Sequence, residues 1–386
     1  MGFVQEDRFF RDQRIVAATQ QDASLQSPKI QKHLSPSHSS PCSIDILEGL
    51  TPPSNKEFAY TSHRLGSGSY NSLEKHPVRT VKGGIVGVVD RVNAGMIHRD
   101  AKHLEAARQK LHTLGPREII VRLRHAADLF LDGELVVGGE TMSADRYCQV
   151  QSMVTGSPVT HCLRNMHKIA TVMRSLDVLL GNHLAYWRHD VGLQGLLSGM
   201  ECQVRALGAQ LPSNSPGVHQ LWIPFLPFVP VVLKPGVGDP FSPDRIRSAC
   251  IAAGLPEESI SLYYSSGPEV GQTIRDTCGH FMMFGSADAI RPYRTDSRAD
   301  VHGPGYSKVV FGPDLAPDWE RFLPILIEGI MHNGGRSCIN TSVIIAPSPH
   351  AEAIALRLAQ ELSQHKPKSV GDRSASLAFY PNPLLP

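Results

Sequence analysis

Two kinds of hydrophobic spacing divide this chain. Trp319, Phe322, Leu323, Leu326, Ile327 and Ile330 recur at helical spacing, as do Ile119, Leu123, Ala126, Ala127 and Phe130, and again Ile169, Val172, Met173, Leu176 and Leu180. Apolar residues three and four apart share one face of a helix, so each set predicts an amphipathic helix with a buried stripe. Short apolar runs at 84–89, 229–234, 260–264, 280–284 and 342–346 predict strands instead. After residue 234 the reading is a helix capped by Ser242, with Pro243 in its first turn, buried face Ile246, Ala249, Cys250 and Ala253, and an end at Gly254. A shorter helix is expected within 267–278. Strands alternating with helices from about Val229 onward predict a parallel sheet covered by helices. Ligands of such sheets bind beyond the carboxyl ends of the strands, where Lys234 and Gly285-Ser286 fall. No G-x-G-x-x-G run follows any strand, so a conventional dinucleotide loop is not expected.

Cys338 stands in the run Asn333-Gly334-Gly335-Arg336-Ser337-Cys338-Ile339-Asn340, between the apolar helix over 319–330 and the strand at 342–346. Glycines let backbone amides approach a substrate closely, and such amides stabilise the oxyanion formed when a thiolate attacks a carbonyl. Taken alone, a cysteine is more often a small, inert core residue.

Composition narrows the classes. The 386 residues suffice for two domains, and a formal net charge of +2 gives no pull toward nucleic acid or an anionic membrane. The seven cysteines, at 42, 148, 162, 202, 250, 278 and 338, form no Cys-x-x-Cys pair, so neither a zinc site nor a disulfide framework is expected. A reducing, cytoplasmic setting fits them. Of 18 histidines none lies in His-Glu-x-x-His, and no metal is expected. No apolar run is long enough to span a membrane, the start lacks a secretory core, and Glu6 breaks a myristoylation pattern. Residues 1–70 are rich in Ser, Pro, Gln and His and read as a disordered extension, with order expected from near Val81. Residues 71–300 read as a helical scaffold with a dinucleotide-binding domain, and 301–386 as part of a catalytic domain holding the cysteine.

Four stretches point the same way: Leu211-Pro212-Ser213-Asn214-Ser215-Pro216; Val231-Val232-Leu233-Lys234-Pro235; Gly267-Pro268-Glu269-Val270-Gly271 followed by Met283-Phe284-Gly285-Ser286; and Gly334-Gly335-Arg336-Ser337-Cys338. Their order and spacing, over about residues 80 to 365, resemble the aldehyde dehydrogenase superfamily, nearest to a divergent bacterial branch or to its CoA-acylating members. The resemblance implies an α/β fold, with a Rossmann-like parallel-sheet cofactor domain and an incomplete α/β catalytic domain. It implies NAD or NADP as cofactor and a small-molecule aldehyde or acyl-CoA as substrate. Cys338 matches the nucleophile, which forms a thiohemiacetal and, after hydride transfer, a thioester. Asn214 matches the residue that stabilises the oxyanion together with the Cys338 amide. Lys234 matches the contact to the adenosine ribose, Gly285 and Ser286 match the turn at the pyrophosphate, and Gly271 belongs to the same cofactor-binding set. Each has a plainer reading as well: Asn214 as a turn former, Lys234 as a solvated strand end, Gly285-Ser286 as an ordinary turn.

The chain departs from the family pattern in three places. The glutamate that helps activate water falls on His302, which is either a general base or a surface or hinge residue. The Gly303-Pro304-Gly305 run that follows is similar to acylating members, in which CoA replaces water. Gly236 and Val237 follow Lys234 where the family often has an acidic ribose contact, which opens the site to NADP as well as NAD and leaves open whether Asp239 substitutes. Few residues follow Cys338, so the resemblance implies a C-terminally truncated member lacking its oligomerisation segment, with homo-oligomerisation open. Three readings result: aldehyde oxidation with NAD(P), the CoA-acylating variant, or an inactive remnant.

Overall fold

Order sets in before the position expected from composition. The computed structural model describes residues 45–51, 58–65, 68–181, 202–265 and 267–380. Most of the expected extension, with Glu6 and Cys42, lies outside the described residues, as do 381–386. Yet β1 (Phe58–Tyr60), β2 (Ser62–Arg64) and β3 (Gly68–Tyr70) all form within the stretch read as extension, and β4 (Lys75–Arg79) precedes Val81. These strands are short and partly polar, so no hydrophobic run announces them. Ser62 is fully buried, and its hydroxyl accepts a hydrogen bond from the Tyr264 amide at 3.2 Å. His63 reaches Asp244 at 3.2 Å. Long-range partners therefore hold the polar residues of this strand, which local composition cannot reveal.

Two compact units make up the chain. One is built on Leu47–Pro304 with Val370–Arg373, the other on Gly305–Ser369 with Ser374–Ala378. In the larger unit β1 pairs in parallel with β5 (Ile85–Asp90), which pairs antiparallel with β4. The expected amphipathic helices form at Pro116–Asp132 and Val159–Arg174 and bury Ile119, Leu123, Ala127 and Phe130 against Cys162, Met166, Ile169 and Met173. A hairpin, β6 (Leu135–Val137) and β7 (Glu140–Met142), turns at Gly138 and Gly139, whose φ of +60° and +79° suit residues without a Cβ. Arg245 is fully buried and donates to the carbonyls of Phe130 at 3.0 Å, Met142 at 2.8 Å and Gly133 at 2.9 Å, so its charge ties the hairpin to a helix end.

The main sheet has seven strands among the described residues. β8 (Ala206–Gln210), β9 (Val231–Lys234), β10 (Ile260–Leu262), β11 (Gly279–Phe284) and β12 (Ala299–His302) run parallel in the order β12-β11-β8-β9-β10, and β2 and β3 extend the β10 edge antiparallel. Sequence reading missed β8, the middle strand of the parallel set. It carries no β-branched residue, and Gly208 sits at its centre. A Cβ at 208 would meet Ile274 at 2.6 Å and Phe281 at 3.0 Å, so the glycine lets the helix Pro268–Cys278 lie close on the sheet.

The helix Phe241–Ala252 forms where expected and ends before Gly254, whose φ is +92°. Its cap differs from the expectation. Ser242 lies inside the first turn, and its amide donates to the Asp239 carboxylate at 3.1 Å. The smaller unit pairs β13 (Ser307–Val310) in parallel with β14 (Thr341–Ile345). The helices Leu323–Met331 and Ser348–Leu362 contribute Leu326, Ile354 and Leu358 to a core with Phe311, Trp319 and Ala346. β14, expected to be buried, is largely half-buried, because this sheet has two strands among the described residues. No helix among the described residues is long and apolar enough to cross a membrane.

Candidate active site

Strand register assembles one edge of the main sheet. At the carboxyl ends, Lys234 of β9 pairs with Gln210 of β8, Gln210 with Met283 of β11, and Phe284 with His302 of β12. The chain leaves β8 toward β9 and β10 on one side and returns to β11 on the other. The connections therefore diverge at β8, the kind of switch point where open α/β sheets bind ligands.

Lys234 is not a solvated strand end. It is 8 % exposed, and burial lowers its pKa below the usual lysine value, with Glu269 acting in the opposite direction. Gly271, in the helix Pro268–Cys278, lies against both Lys234 and Gln210. A Cβ there would collide with the Gln210 amide and touch Lys234 Cδ at 3.7 Å. The glycine thus brings the first turns of that helix down onto the sheet edge.

Two loops cross above this row. Asn214 is exposed on the loop that follows β8. Its neighbour Ser213 accepts a hydrogen bond from the Gly238 amide at 3.0 Å, and a Cβ on Gly236 would strike Ser213. The loop carrying Asn214 is therefore clasped to the turn that follows Lys234. Asp239, weighed as a ribose carboxylate, is committed elsewhere. It is 2 % exposed and accepts from Ser242 Oγ at 2.7 Å and from Gln151 at 3.3 Å. Burial pushes its pKa up to about 6 despite these bonds.

Beyond β11, the Gly285 amide donates to the His302 carbonyl at 3.1 Å. Ser286 caps the short helix Ala287–Ile290, its hydroxyl accepting from the Ala289 amide at 3.4 Å. The His302 ring stacks on Phe284, with centroids 4.5 Å apart and planes 11° from parallel. Its Nε2 lies 3.0 Å from Asp300 Oδ2. A ring held by a carboxylate and an aromatic face keeps one orientation, which a proton carrier needs.

Cys338 belongs to the smaller unit, and it is exposed, not a core residue. The chain reaches it through Asn333, Gly334 and Gly335, all left-handed, with φ of 52°, 68° and 83°. Asn333 is the only non-glycine with positive φ among the described residues. Asn340 closes the loop: its Oδ1 accepts from the Ser337 amide at 3.1 Å, and its Nδ2 donates to the carbonyls of Ile330 at 2.6 Å and His332 at 2.9 Å. Gly305 lies against the Cys338 carbonyl with no room for a Cβ. The Gly-Pro-Gly run thus has a packing reason of its own, independent of acylating chemistry.

Register and loop contacts thus bring Asn214, Lys234, Gly271, Gly285, Ser286 and His302 to one edge of the larger unit, while Cys338 is presented by the smaller one. Gln210, Ser213, Asp300 and Asn340 escaped sequence reading. Ser213, Asp300 and Asn340 carried a local signal, each within two residues of a residue already singled out. Among the described residues no cluster of His, Cys, Asp and Glu is arranged to hold a metal ion.

No protein-family model and no curated protein matches the chain. Solved structures do. An aldehyde dehydrogenase from Brucella melitensis biovar abortus 2308 superposes with a TM-score of 0.68 at 14 % identity, over 84 % of this chain and 67 % of that one. A succinate-semialdehyde dehydrogenase from Burkholderia pseudomallei gives 0.68 at 16 %, over 84 % and 67 %. An indole-3-acetaldehyde dehydrogenase in complex with NAD+ gives 0.66 at 16 %, over 85 % and 67 %. The chain spans about two thirds of the length of each of these structures. With its parallel sheet and its cysteine loop, this protein carries the fold of the aldehyde dehydrogenases.

Proposed function

We propose that this protein oxidises an aldehyde with NAD or NADP through Cys338. The observation that carries the reading is the exposed cysteine on a loop whose backbone is fixed around it, on a chain with the aldehyde dehydrogenase fold. The Cys338 thiolate attacks the aldehyde carbon and the C=O electrons move to oxygen. The Asn214 side-chain amide and the Cys338 backbone N–H stabilise that oxyanion. A nicotinamide dinucleotide held by Lys234 and the Gly285-Ser286 turn would supply the hydride acceptor for this carbon. Loss of hydride leaves a thioester on Cys338. His302, held by Asp300, takes a proton from the water that attacks the thioester, and the thiol and a carboxylic acid are released.

The sheet edge fits a nicotinamide dinucleotide. Lys234 offers an ammonium to a ribose hydroxyl or phosphate, and Gly271 lets the helix Pro268–Cys278 lie close beside it. The turn at Gly285 and Ser286 would take the pyrophosphate. No carboxylate follows Lys234 at 236 or 237 to repel a 2′-phosphate, and Asp239 is buried in its own network, which supports use of NADP as well as NAD. Among the matched structures, the indole-3-acetaldehyde dehydrogenase was solved with NAD+.

The test is reduction of NAD and NADP followed by absorbance with a panel of aldehydes, with and without CoA, for the parent and Cys338→Ala. Turnover that disappears in Cys338→Ala, with free acid as product, supports the proposal. Strict dependence on CoA moves the assignment to the acylating reaction. A folded protein that binds neither cofactor defeats both.

A further inference from the structure

We infer that Asn340 is a positioning residue for Cys338, an inference that rests on the reading of Cys338 as nucleophile. A helix ends in carbonyls without intrahelical partners. Asn340 supplies donors to two of them at the end of Leu323–Met331, through its Nδ2 to the carbonyls of Ile330 and His332. The same side chain accepts the Ser337 amide through Oδ1, and the Asn340 amide donates back to the Ser337 carbonyl at 3.1 Å. One planar group therefore fixes the residue before the cysteine and the helix end that precedes it. These bonds leave from Ser337 and Asn340, not from Cys338, so they orient the thiol and its backbone amide without consuming either.

The chemistry of the amide is specific. Aspartate keeps the shape but loses both donors and sets a charge against two carbonyl oxygens. Alanine loses the donors and the acceptor together. Steady flanking contacts make the loop a defined frame and not a free turn. Gly305 abuts the Cys338 carbonyl, and the Ala378 amide donates to the Gly334 carbonyl at 3.4 Å.

Two measurements test the inference, and they separate it from the proposed function. In the parent, amide hydrogen exchange at Ser337 is slow, and in Asn340→Ala it speeds up by about tenfold, the effect of one lost hydrogen bond. In the same variant and in Asn340→Asp, kcat with aldehyde and NAD(P) falls by about a hundredfold, as expected when a reacting atom shifts by roughly an ångström. The KM for NAD(P) stays within about twofold, since Lys234 and its neighbours are untouched. A loss of folded molecules alone would lower the amount of Cys338 labelled by iodoacetamide in the isolated folded fraction, located by peptide mapping, in proportion to kcat. The positioning role predicts a fall in kcat per titrated thiol. Ser337 exchanging in the parent at the rate of an unstructured peptide overturns the inference, whether or not the variants fold. So does unchanged kcat per thiol in both variants. If the parent turns over no aldehyde, the proposed function fails while Ser337 exchange still decides the role of Asn340.

Discussion

Gly305 and Cys338 touch backbone to backbone: a methyl group at 305 would occupy the space of the Cys338 carbonyl oxygen. Glycine at 305 is thus a requirement of the cysteine loop. Gly305→Ala is expected to push that loop off its frame and to cost about 1–3 kcal/mol, the usual price of overpacking a filled site. Urea unfolding reads the stability, and aldehyde turnover per titrated thiol reads the loop. Parent-like values in both would show that the close approach yields without consequence.

Lys234→Met keeps the buried stem and removes the ammonium. Since the residue is 8 % exposed, an apolar end fits its surroundings, and folding should be retained. Loss of a charged hydrogen bond to the cofactor is worth about 1.5–3 kcal/mol, so the Kd for NAD(P) should rise by about tenfold to a hundredfold. Fluorescence titration with NADH and NADPH measures it. An unchanged Kd for both would remove Lys234 from the cofactor site.

Asp239 makes stability depend on pH in a direction opposite to that of a paired carboxylate. Its folded pKa is raised to about 6 by burial, above the ordinary carboxylate range near 4. Between about pH 4 and about pH 6 the native state therefore holds the proton that the unfolded state has released. The contribution of this group to stability is fully present below the lower value and is lost as pH rises through the upper one, about 3 kcal/mol in all. The groups facing it are Tyr147, Ser242 and Gln151, with Tyr60 and Tyr264 near enough to feel its charge, and all are neutral in this window. Asp239→Asn keeps an acceptor for the Ser242 amide and removes the titration. The stability difference, parent minus variant, should grow in favour of the parent from pH 7 to about pH 4.5. A difference that is flat across urea unfolding at several pH values would contradict this account.

The strand ends and the cysteine turn that carry the candidate residues were legible because period and punctuation change there. Lys234 ends an apolar run, Gly285-Ser286 ends another, and Cys338 follows a pair of glycines. What stayed hidden depends on partners far along the chain. β8 carries a glycine at its centre because position 208 must admit Ile274. β2 is polar because Ser62 and His63 are satisfied by Tyr264 and Asp244, 202 and 181 residues away. The burial of Lys234 could not be read from its position at a strand end. Nor could the commitment of Asp239 to the first turn of a helix for which sequence alone names Ser242 as the cap.

His302 offers the sharpest division of the reaction into steps. Its ring is oriented by Asp300 at 3.0 Å and by stacking on Phe284. If it serves the attacking water, it acts after hydride has left the substrate, not before. His302→Gln then leaves formation of the thioester intact and slows its hydrolysis, by about a hundredfold or more for loss of a general base. Mixed rapidly with aldehyde and NAD(P), the variant should give a burst of reduced cofactor equal to the reactive Cys338, followed by a slow steady rate. Asp300→Asn should weaken the same slow phase less, since the ring keeps its stacking partner. CoA added to His302→Gln tests the acylating route in the same tube: a thiol that attacks the thioester directly would restore the steady rate without the histidine. Loss of the burst itself would place His302 before hydride transfer, or in the fold, and would end its assignment to the water.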